Sequence, residues 1–332
     1  DEQTTVELSK ADLTDKKELP GASLKVTDED GNTVDEWVSK EEAHIIKGLI
    51  VGKKYKMTET KPADGYVTAE SIEFTVENTK EVQKHQMLDD VTKVEISKKD
   101  ITDSSEVPGA KLIILDKDGK KVESWTSTDK PHMVEKLPVG EYTLREEQAP
   151  DGYLIAEDVK FTVKDTGKVQ KVKMKDAHPY GKLVIKKTDS TSKTALPGAE
   201  FELREKESGK VVEKLVTDKT GTATSGKLPI ATYKNGKVEK TVEYILVETK
   251  APNGYELSSK KEEIRFEYKD GKTKVIEIVK EIKNTKSPSG STPTGNSPKT
   301  GDSTNIWLPI LLAVLSACGI GGVIWYKKKK GN

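Results

Sequence analysis

Apolar and polar residues alternate in short runs along most of the chain, the pattern of strands with one buried face. Three such runs, at residues 6–10, 94–98 and 183–187, recur at a spacing of about 88 residues, which marks an internal repeat. Asp-Gly and Asn-Gly turns separate the runs, and no amphipathic helix of useful length interrupts them. The pattern predicts an all-β chain of three tandem β-sandwich domains, at residues 1–91, 92–180 and 181–286.

Two further motifs occur once in each repeat. A Pro-Gly-Ala turn follows the first strand, at residues 20–22, 108–110 and 197–199. A Tyr-x-x-x-Glu strand then runs into a turn that ends in Gly-Tyr, at residues 55–66, 142–153 and 244–255. The third repeat carries an additional hairpin around Asn235-Gly236.

These motifs, above all residues 142–153, resemble the CnaB-type domains, also called SpaA-type or prealbumin-like, of Gram-positive adhesins and pilins. The resemblance covers essentially residues 5–284 and implies an Ig-like or prealbumin-like sandwich in each repeat. In that family a lysine, a glutamate and an aspartate or asparagine form an intramolecular isopeptide bond. Carried over by position, the three sets are Lys10, Glu59 and Asp89; Lys98, Glu146 and Asp176; and Lys187, Glu248 and Asn284.

Strand alternation gives these lysines an unusual position. Each lies on the same strand face as its apolar neighbours, so it is expected to point into the core, where an unpaired charge is costly. A neutral amine is the nucleophile that the bond requires, and the resemblance gives the glutamate the role of proton shuttle. The alternative is a buried, hydrogen-bonded cluster without a covalent bond. Asp90 is a weaker candidate than Asp89, because Asp89 aligns with Asp176.

The C-terminal region carries a second recognisable arrangement. An apolar segment at residues 306–326, long enough to cross a bilayer, precedes four lysines. Before it, Ser297, Pro298, Lys299, Thr300 and Gly301 resemble the Leu-Pro-x-Thr-Gly sorting signal of Gram-positive surface proteins. The resemblance implies that a sortase cleaves after Thr300 and joins it covalently to peptidoglycan. Ser297 in place of leucine leaves the class of sortase open.

This arrangement divides the C-terminal region into two parts. Residues 287–300 form a disordered Pro/Ser/Gly/Thr linker that ends in the sorting motif. Residues 301–332 are the transmembrane helix and basic tail, in contact with the membrane only before sorting. The sorting signal requires export, yet no secretory signal stands at Asp1, so we expect a mature form or a fragment without its N-terminal region.

Composition restricts the remaining possibilities. With 34% charged and 33% hydrophobic residues the sandwiches have thin interiors, and small domains of this kind often need a covalent or metal staple. The chain has a single cysteine, Cys318, and four scattered histidines, so no disulfide, zinc site or other metal is predicted, and no cofactor. A formal net charge of +0 gives no indication of nucleic-acid binding.

The sequence therefore predicts a structural, non-enzymatic stalk, secreted and anchored to the Gram-positive cell wall, that presents an adhesive N-terminal region. One alternative is a basal pilin subunit, whose partners would be other pilin subunits. The chain lacks the Tyr-Pro-Lys pilin motif, since its nearest match, residues 178–182, reads His-Pro-Tyr-Gly-Lys. The other alternative is an adhesin that binds a host matrix protein through its own sandwich loops.

Overall fold

The computed structural model describes residues 3–288, and every regular element in this range is a β-strand. The predicted all-β class of tandem prealbumin-like domains is therefore confirmed. Among these residues no helix is long and apolar enough to cross a membrane. The predicted sorting motif and transmembrane helix lie outside the described residues.

The first domain consists of seven strands in two sheets. A three-stranded sheet has the order β4-β1-β7, and a four-stranded sheet has the order β3-β2-β5-β6. The strands are β1 (Thr5–Asp12), β2 (Ser23–Thr27), β3 (Thr33–Val38), β4 (His44–Lys47), β5 (Lys54–Lys61), β6 (Ile72–Thr75) and β7 (Gln83–Asp89).

The second domain repeats this topology strand for strand. Its sheets have the orders β11-β8-β14 and β10-β9-β12-β13. The strands are β8 (Lys93–Asp100), β9 (Lys111–Asp116), β10 (Lys121–Thr126), β11 (His132–Glu135), β12 (Gly140–Gln148), β13 (Val159–Val163) and β14 (Gln170–Asp176).

The third domain keeps the two sheets and adds a hairpin. Strand β15 pairs with β18, β19 and β24 in one sheet, the other sheet has the order β17-β16-β22-β23, and β20 and β21 form the hairpin. The strands are β15 (Tyr180–Asp189), β16 (Glu200–Glu205), β17 (Val211–Val216), β18 (Thr222–Thr224), β19 (Leu228–Pro229), β20 (Ala231–Lys234), β21 (Lys237–Thr241), β22 (Glu243–Lys250), β23 (Lys261–Arg265) and β24 (Val275–Asn284).

In each domain the first and last strands are parallel neighbours. Strand β1 pairs with β7, β8 with β14 and β15 with β24, whereas the other strand pairs are antiparallel. The alternating residues of the two sheets meet in a separate apolar core for each domain. In the first domain Val6 and Leu8 of β1 pack with Leu24 of β2 and Met57 of β5.

The Pro-Gly-Ala turn needs its glycine in all three domains. Gly21, Gly109 and Gly198 have φ angles of 99°, 94° and 81°, in the region that a side chain disfavours. The turn leads from the first strand to the second and so sets the start of the facing sheet.

Candidate functional site

Each domain contains one lysine inside its sandwich. Lys10, Lys98 and Lys187 are 1%, 2% and 0% exposed and are among the largest fully buried side chains of the described residues. Their strands carry apolar residues on the same face, so these lysine side chains point into the core and not toward solvent. A lysine in such a position needs a partner or must lose its charge.

In the first domain Lys10 on β1 meets two carboxyl groups. Its Nζ donates to Oδ1 of Asp89, on the parallel neighbour β7, and lies 2.9 Å from Oε1 of Glu59. Glu59 belongs to β5 and reaches the site from the facing sheet. Asp89 is 0% and Glu59 4% exposed, so all three groups are shielded from water.

The second domain contains the same arrangement. Lys98 Nζ donates to Oδ1 of Asp176 and lies 3.0 Å from Oε2 of Glu146. Register explains the match, because Lys98 pairs with Met174 and Lys10 with Met87. In both domains the acceptor is therefore two residues further along the last strand, on the same face.

The third domain has an amide in place of the acceptor carboxyl. Lys187 Nζ donates to Oδ1 of Asn284 and lies 3.0 Å from Oε1 of Glu248. The Asn284 amide nitrogen donates to Glu248 Oε1 at 2.9 Å and to Oε2 at 3.1 Å. The structure thus brings together each of the three predicted sets of lysine, glutamate and aspartate or asparagine.

Burial changes the acid–base properties of these groups. Desolvation raises the pKa of Asp89 and that of Asp176 to about 7, against the opposing effect of the adjacent lysine. Desolvation also lowers the pKa of Lys187, against the hydrogen bond and charge of Glu248. Each of these shifts favours the neutral form of the group concerned.

A backbone hydrogen bond fixes each glutamate. The N–H groups of Ala69, Ala156 and Ser258 donate to Oε2 of the glutamate of their own domain, at 2.6, 2.6 and 2.9 Å. Each donor follows the tyrosine of the Gly-Tyr turn by three residues, so the turn positions the carboxyl group. Sequence reasoning missed them, because a backbone donor leaves no residue signature.

Sequence reasoning also missed a second polar pair in each domain. An aspartate two residues after each buried lysine accepts a hydrogen bond from the tyrosine of the Gly-Tyr turn. The repeated Lys-x-Asp spacing was a signal that could have revealed it. The pairs are Asp12 with Tyr66, Asp100 with Tyr153, and Asp189 with Tyr255.

The arrangement can perform one kind of chemistry: acyl transfer from a carboxyl or carboxamide carbon to a neutral amine. The nucleophile and acceptor are already in contact, and a glutamate adjacent to the lysine can carry a proton. Among residues 3–288 no group of three or more His, Cys, Asp or Glu side chains is placed to hold a metal. The predicted sortase residues, 297–301, lie outside the described residues.

Comparison with known proteins identifies the family of these domains. A search of curated protein sequences gives no match. Among solved structures, the Bacillus anthracis TIE protein is similar over 86% of this chain, with 28% identity and a TM-score of 0.57, and the chain spans about half (52%) of its length. BcpA, the major pilin subunit of Bacillus cereus, shares the fold over 86% of this chain and 100% of its own, with 18% identity and a TM-score of 0.50.

The SpaA prealbumin-like fold domain matches three consecutive segments, residues 4–90, 92–178 and 181–282. This family match agrees with the sequence prediction of a non-enzymatic chain. The chain therefore belongs to the SpaA family of prealbumin-like fold domains, which it contains in three tandem repeats.

Proposed function

We propose that each buried lysine forms an isopeptide bond with the acceptor in contact with it, and that the three bonded domains act as a stalk on the Gram-positive cell surface. In the first two domains the Nζ–Cγ bond forms, the Cγ–O bond of the aspartic acid breaks, and one water leaves. In the third domain the Cγ–N bond of Asn284 breaks and one ammonia leaves. Each domain reacts once, so this is self-processing without turnover.

The observation that carries the proposal is the contact of all three lysine nitrogens with the acceptor side chain inside a closed core. Holding both groups in a fixed geometry replaces an encounter in solution and so removes much of the entropic part of the activation barrier. The product contains no ionisable group at either position, so it removes the cost of burying a lysine and a carboxylate.

The contacts of the carboxyl oxygens support a shuttle role for the glutamate. Among the described residues, Oδ2 of Asp89, Oε1 of Glu146 and Oδ2 of Asp176 are buried without a hydrogen-bond partner, and Oε1 of Glu59 has only its ion-pair contact with Lys10. In the third domain the Asn284 amide hydrogens reach Glu248. A proton shared by the two carboxyl groups would provide the equivalent link in the first two domains.

That proton has a chemical use in the reaction. On the acceptor it turns the carboxylate into an acid that an amine can attack, and on the glutamate it can be passed to the departing oxygen or nitrogen. In the third domain the departing nitrogen already lies 2.9 Å from Glu248 Oε1. The amine proton released by attack returns to the same carboxylate.

The position of the bonds gives them a mechanical role. The acceptor lies on the last strand of the domain and the lysine on the first, and these strands are parallel neighbours. Tension that enters at the first strand and leaves at the last passes through the bond, not through a fold held by only about 5–15 kcal/mol. A tandem array of such domains transmits force covalently.

The cell-surface assignment rests on the family and on the predicted sorting signal. We infer that a sortase joins Thr300 to peptidoglycan and that the domains hold an adhesive N-terminal region away from the wall. The test is to digest cell walls with a muramidase and analyse released fragments for Thr300 joined to a peptidoglycan amine. Release of the protein by detergent alone, with residues 301–332 intact, would contradict this anchoring.

The cross-links are tested by the intact mass of the full-length chain under denaturing conditions. We expect a mass below that of the sequence by two waters and one ammonia. Glu146→Ala should restore one water, whereas Glu147→Ala, on the same strand but exposed, should restore none. A parent mass equal to that of the plain sequence would overturn the proposed chemistry.

A further inference from the structure

Of the Asp–Tyr pairs beside the proposed cross-links, the first two lie where one domain meets the next. Each pair closes one end of its domain, with hydrogen bonds of 2.8, 2.7 and 2.9 Å in the first, second and third domains. None of these groups takes part in the proposed cross-linking. In the first two domains the pair also contacts the next domain along the chain.

At the first junction Lys136 of the second domain covers the pair. Its Nζ donates to the Tyr66 hydroxyl at 2.6 Å and lies 3.3 Å from Asp12 Oδ2. Burial raises the pKa of Asp12, but hydrogen bonds, those from Tyr66 and Lys136 among them, outweigh it and bring the pKa to about 2. The hydrogen bond between the Lys136 ammonium and the Asp12 carboxylate is charge-assisted, and such bonds are stronger than those between neutral groups.

The turn glycine of the first domain makes this junction close. A Cβ at Gly65 would lie 2.3 Å from the backbone oxygen of Lys136, so only glycine allows the two backbones to approach. Nearby, Asp165 of the second domain accepts hydrogen bonds from the N–H and the hydroxyl of Thr68, at 2.9 and 2.6 Å.

At the second junction the β20–β21 hairpin of the third domain makes the contact that Lys136 makes at the first. Tyr233 on β20 donates to the backbone oxygen of Gly152 at 2.8 Å, and its ring stacks on His178 at 3.5 Å between ring centres. His178 in turn lies 2.9 Å from Oδ2 of Asp100. Val238 on β21 packs so near that a Cβ at Gly152 would lie 2.3 Å from its Cγ2.

The third domain has the same pair without such a cover. Asp189 and Tyr255 keep their hydrogen bond, but apart from the adjacent residues of the chain no atom of the described residues lies within 4 Å of a Cβ at Gly254. Tyr255 is partly exposed, whereas Tyr153 is 0% exposed. The pair therefore forms within its own domain, where Asp189 is already buried, and only the tyrosine is more buried where another domain follows.

We propose that the Asp–Tyr pair is a docking site for the next domain. We also propose that the β20–β21 hairpin fixes the third domain to the second. Domains joined through small interfaces usually move relative to one another. Here polar contacts across the first junction, a glycine that permits backbone contact and a stacked aromatic pair oppose that motion, so the three domains move as one body. This inference is independent of the cross-links, since it concerns contacts between domains.

The test measures distances between domains by pulsed electron paramagnetic resonance on the full chain with Cys318→Ser. One spin-label pair, Lys56→Cys with Lys121→Cys, spans the first junction, and another, Lys121→Cys with Lys261→Cys, spans the second. All three labelled positions are exposed and lie on strands. The parent should give a narrow distance distribution for both pairs.

Tyr233→Ala should broaden the distribution across the second junction and leave the first narrow. Gly65→Ala should do the reverse. Gly254→Ala is the matched control, because its φ of 81° resembles the 86° of Gly65 but its Cβ meets no neighbour, and it should change neither distribution. The intact mass of each variant verifies that the domains have folded and reacted.

Two results would overturn the inference. Broad distributions in the parent would show that the contacts do not hold the domains. A narrow distribution across the second junction in Tyr233→Ala, in a chain whose mass shows all three cross-links, would show that the hairpin does not fix the third domain to the second. Loss of a cross-link with narrow distributions would instead count against the proposed chemistry alone.

Discussion

Replacing Glu146 by alanine should make the second domain extensible under tension while its neighbours stay closed. Glu146 lies 3.0 Å from the Lys98 nitrogen and is held in place by the N–H of Ala156. Without its carboxyl group the lysine nitrogen keeps only the acceptor Asp176 as a polar side-chain contact among residues 3–288, so no separate group can move protons between amine and acceptor. We therefore expect Lys98 and Asp176 to remain unjoined in an otherwise folded domain.

The size of the effect follows from the positions of the two residues. Lys98 and Asp176 are 78 residues apart in sequence but in contact in space. In the bonded domain tension bypasses all the residues between them. When the unbonded domain unfolds, those residues extend to about 265 Å, at roughly 3.4 Å per residue.

The assay is single-molecule stretching of the full chain held at its two ends. The parent should show no step of this size, because all three domains are closed by covalent bonds. Glu146→Ala should show one step of about 265 Å in each stretching cycle. Glu147→Ala, the exposed neighbour on the same strand, should behave as the parent.

Two outcomes would refute the reasoning. Large steps in the parent would mean that tension does not pass through covalent bonds. The absence of a step in Glu146→Ala, together with the loss of one water fewer in its mass, would mean that the bond does not lie in the path of force.

Three further predictions concern the reaction and its effect on stability. The rate of bond formation can be followed by refolding denatured, unreacted chain, quenching it rapidly and measuring its mass. In the first domain this rate should fall as the pH rises through about 7, the raised pKa of Asp89, because the reactive acid form of Asp89 disappears. Bonding in the third domain should instead speed up with pH until Lys187, whose pKa is lowered, is fully neutral; an equal pH dependence in both domains would contradict this. Asn284→Asp should give a bonded protein of the same mass as the parent, since water leaves in place of ammonia and the product is identical; a mass higher than the parent's would show that no bond forms. Calorimetry should find the second domain of Glu146→Ala less stable by about 4–5 kcal/mol, the loop entropy of a cross-link that closes 78 residues; no change in stability would count against a native bond.

The sequence predicted the architecture because its information is periodic and repeated. Alternation placed Lys10, Lys98 and Lys187 on the core faces of their strands, and the structure buries all three. Three repeats of one pattern made the match specific where a single inward lysine would have been weak.

The contacts that position the site were less accessible to sequence reasoning. The parallel pairing of β1 with β7 joins segments almost eighty residues apart, and local patterns do not specify such a register. The N–H of Ala69 acts through the backbone, so its side chain gives no signal. The sequence placed a hairpin at Asn235-Gly236 but not its contact with Gly152, which depends on how two domains meet.

The most direct test of the account is proteolytic digestion of the denatured full-length protein, followed by sequencing of the peptides by tandem mass spectrometry. A lysine whose nitrogen is acylated escapes trypsin, so each bond leaves one branched peptide. The account predicts three branched peptides, joining Lys10 to Asp89, Lys98 to Asp176 and Lys187 to Asn284. Linear peptides that end at these lysines, with Asp89, Asp176 and Asn284 unmodified, would contradict it.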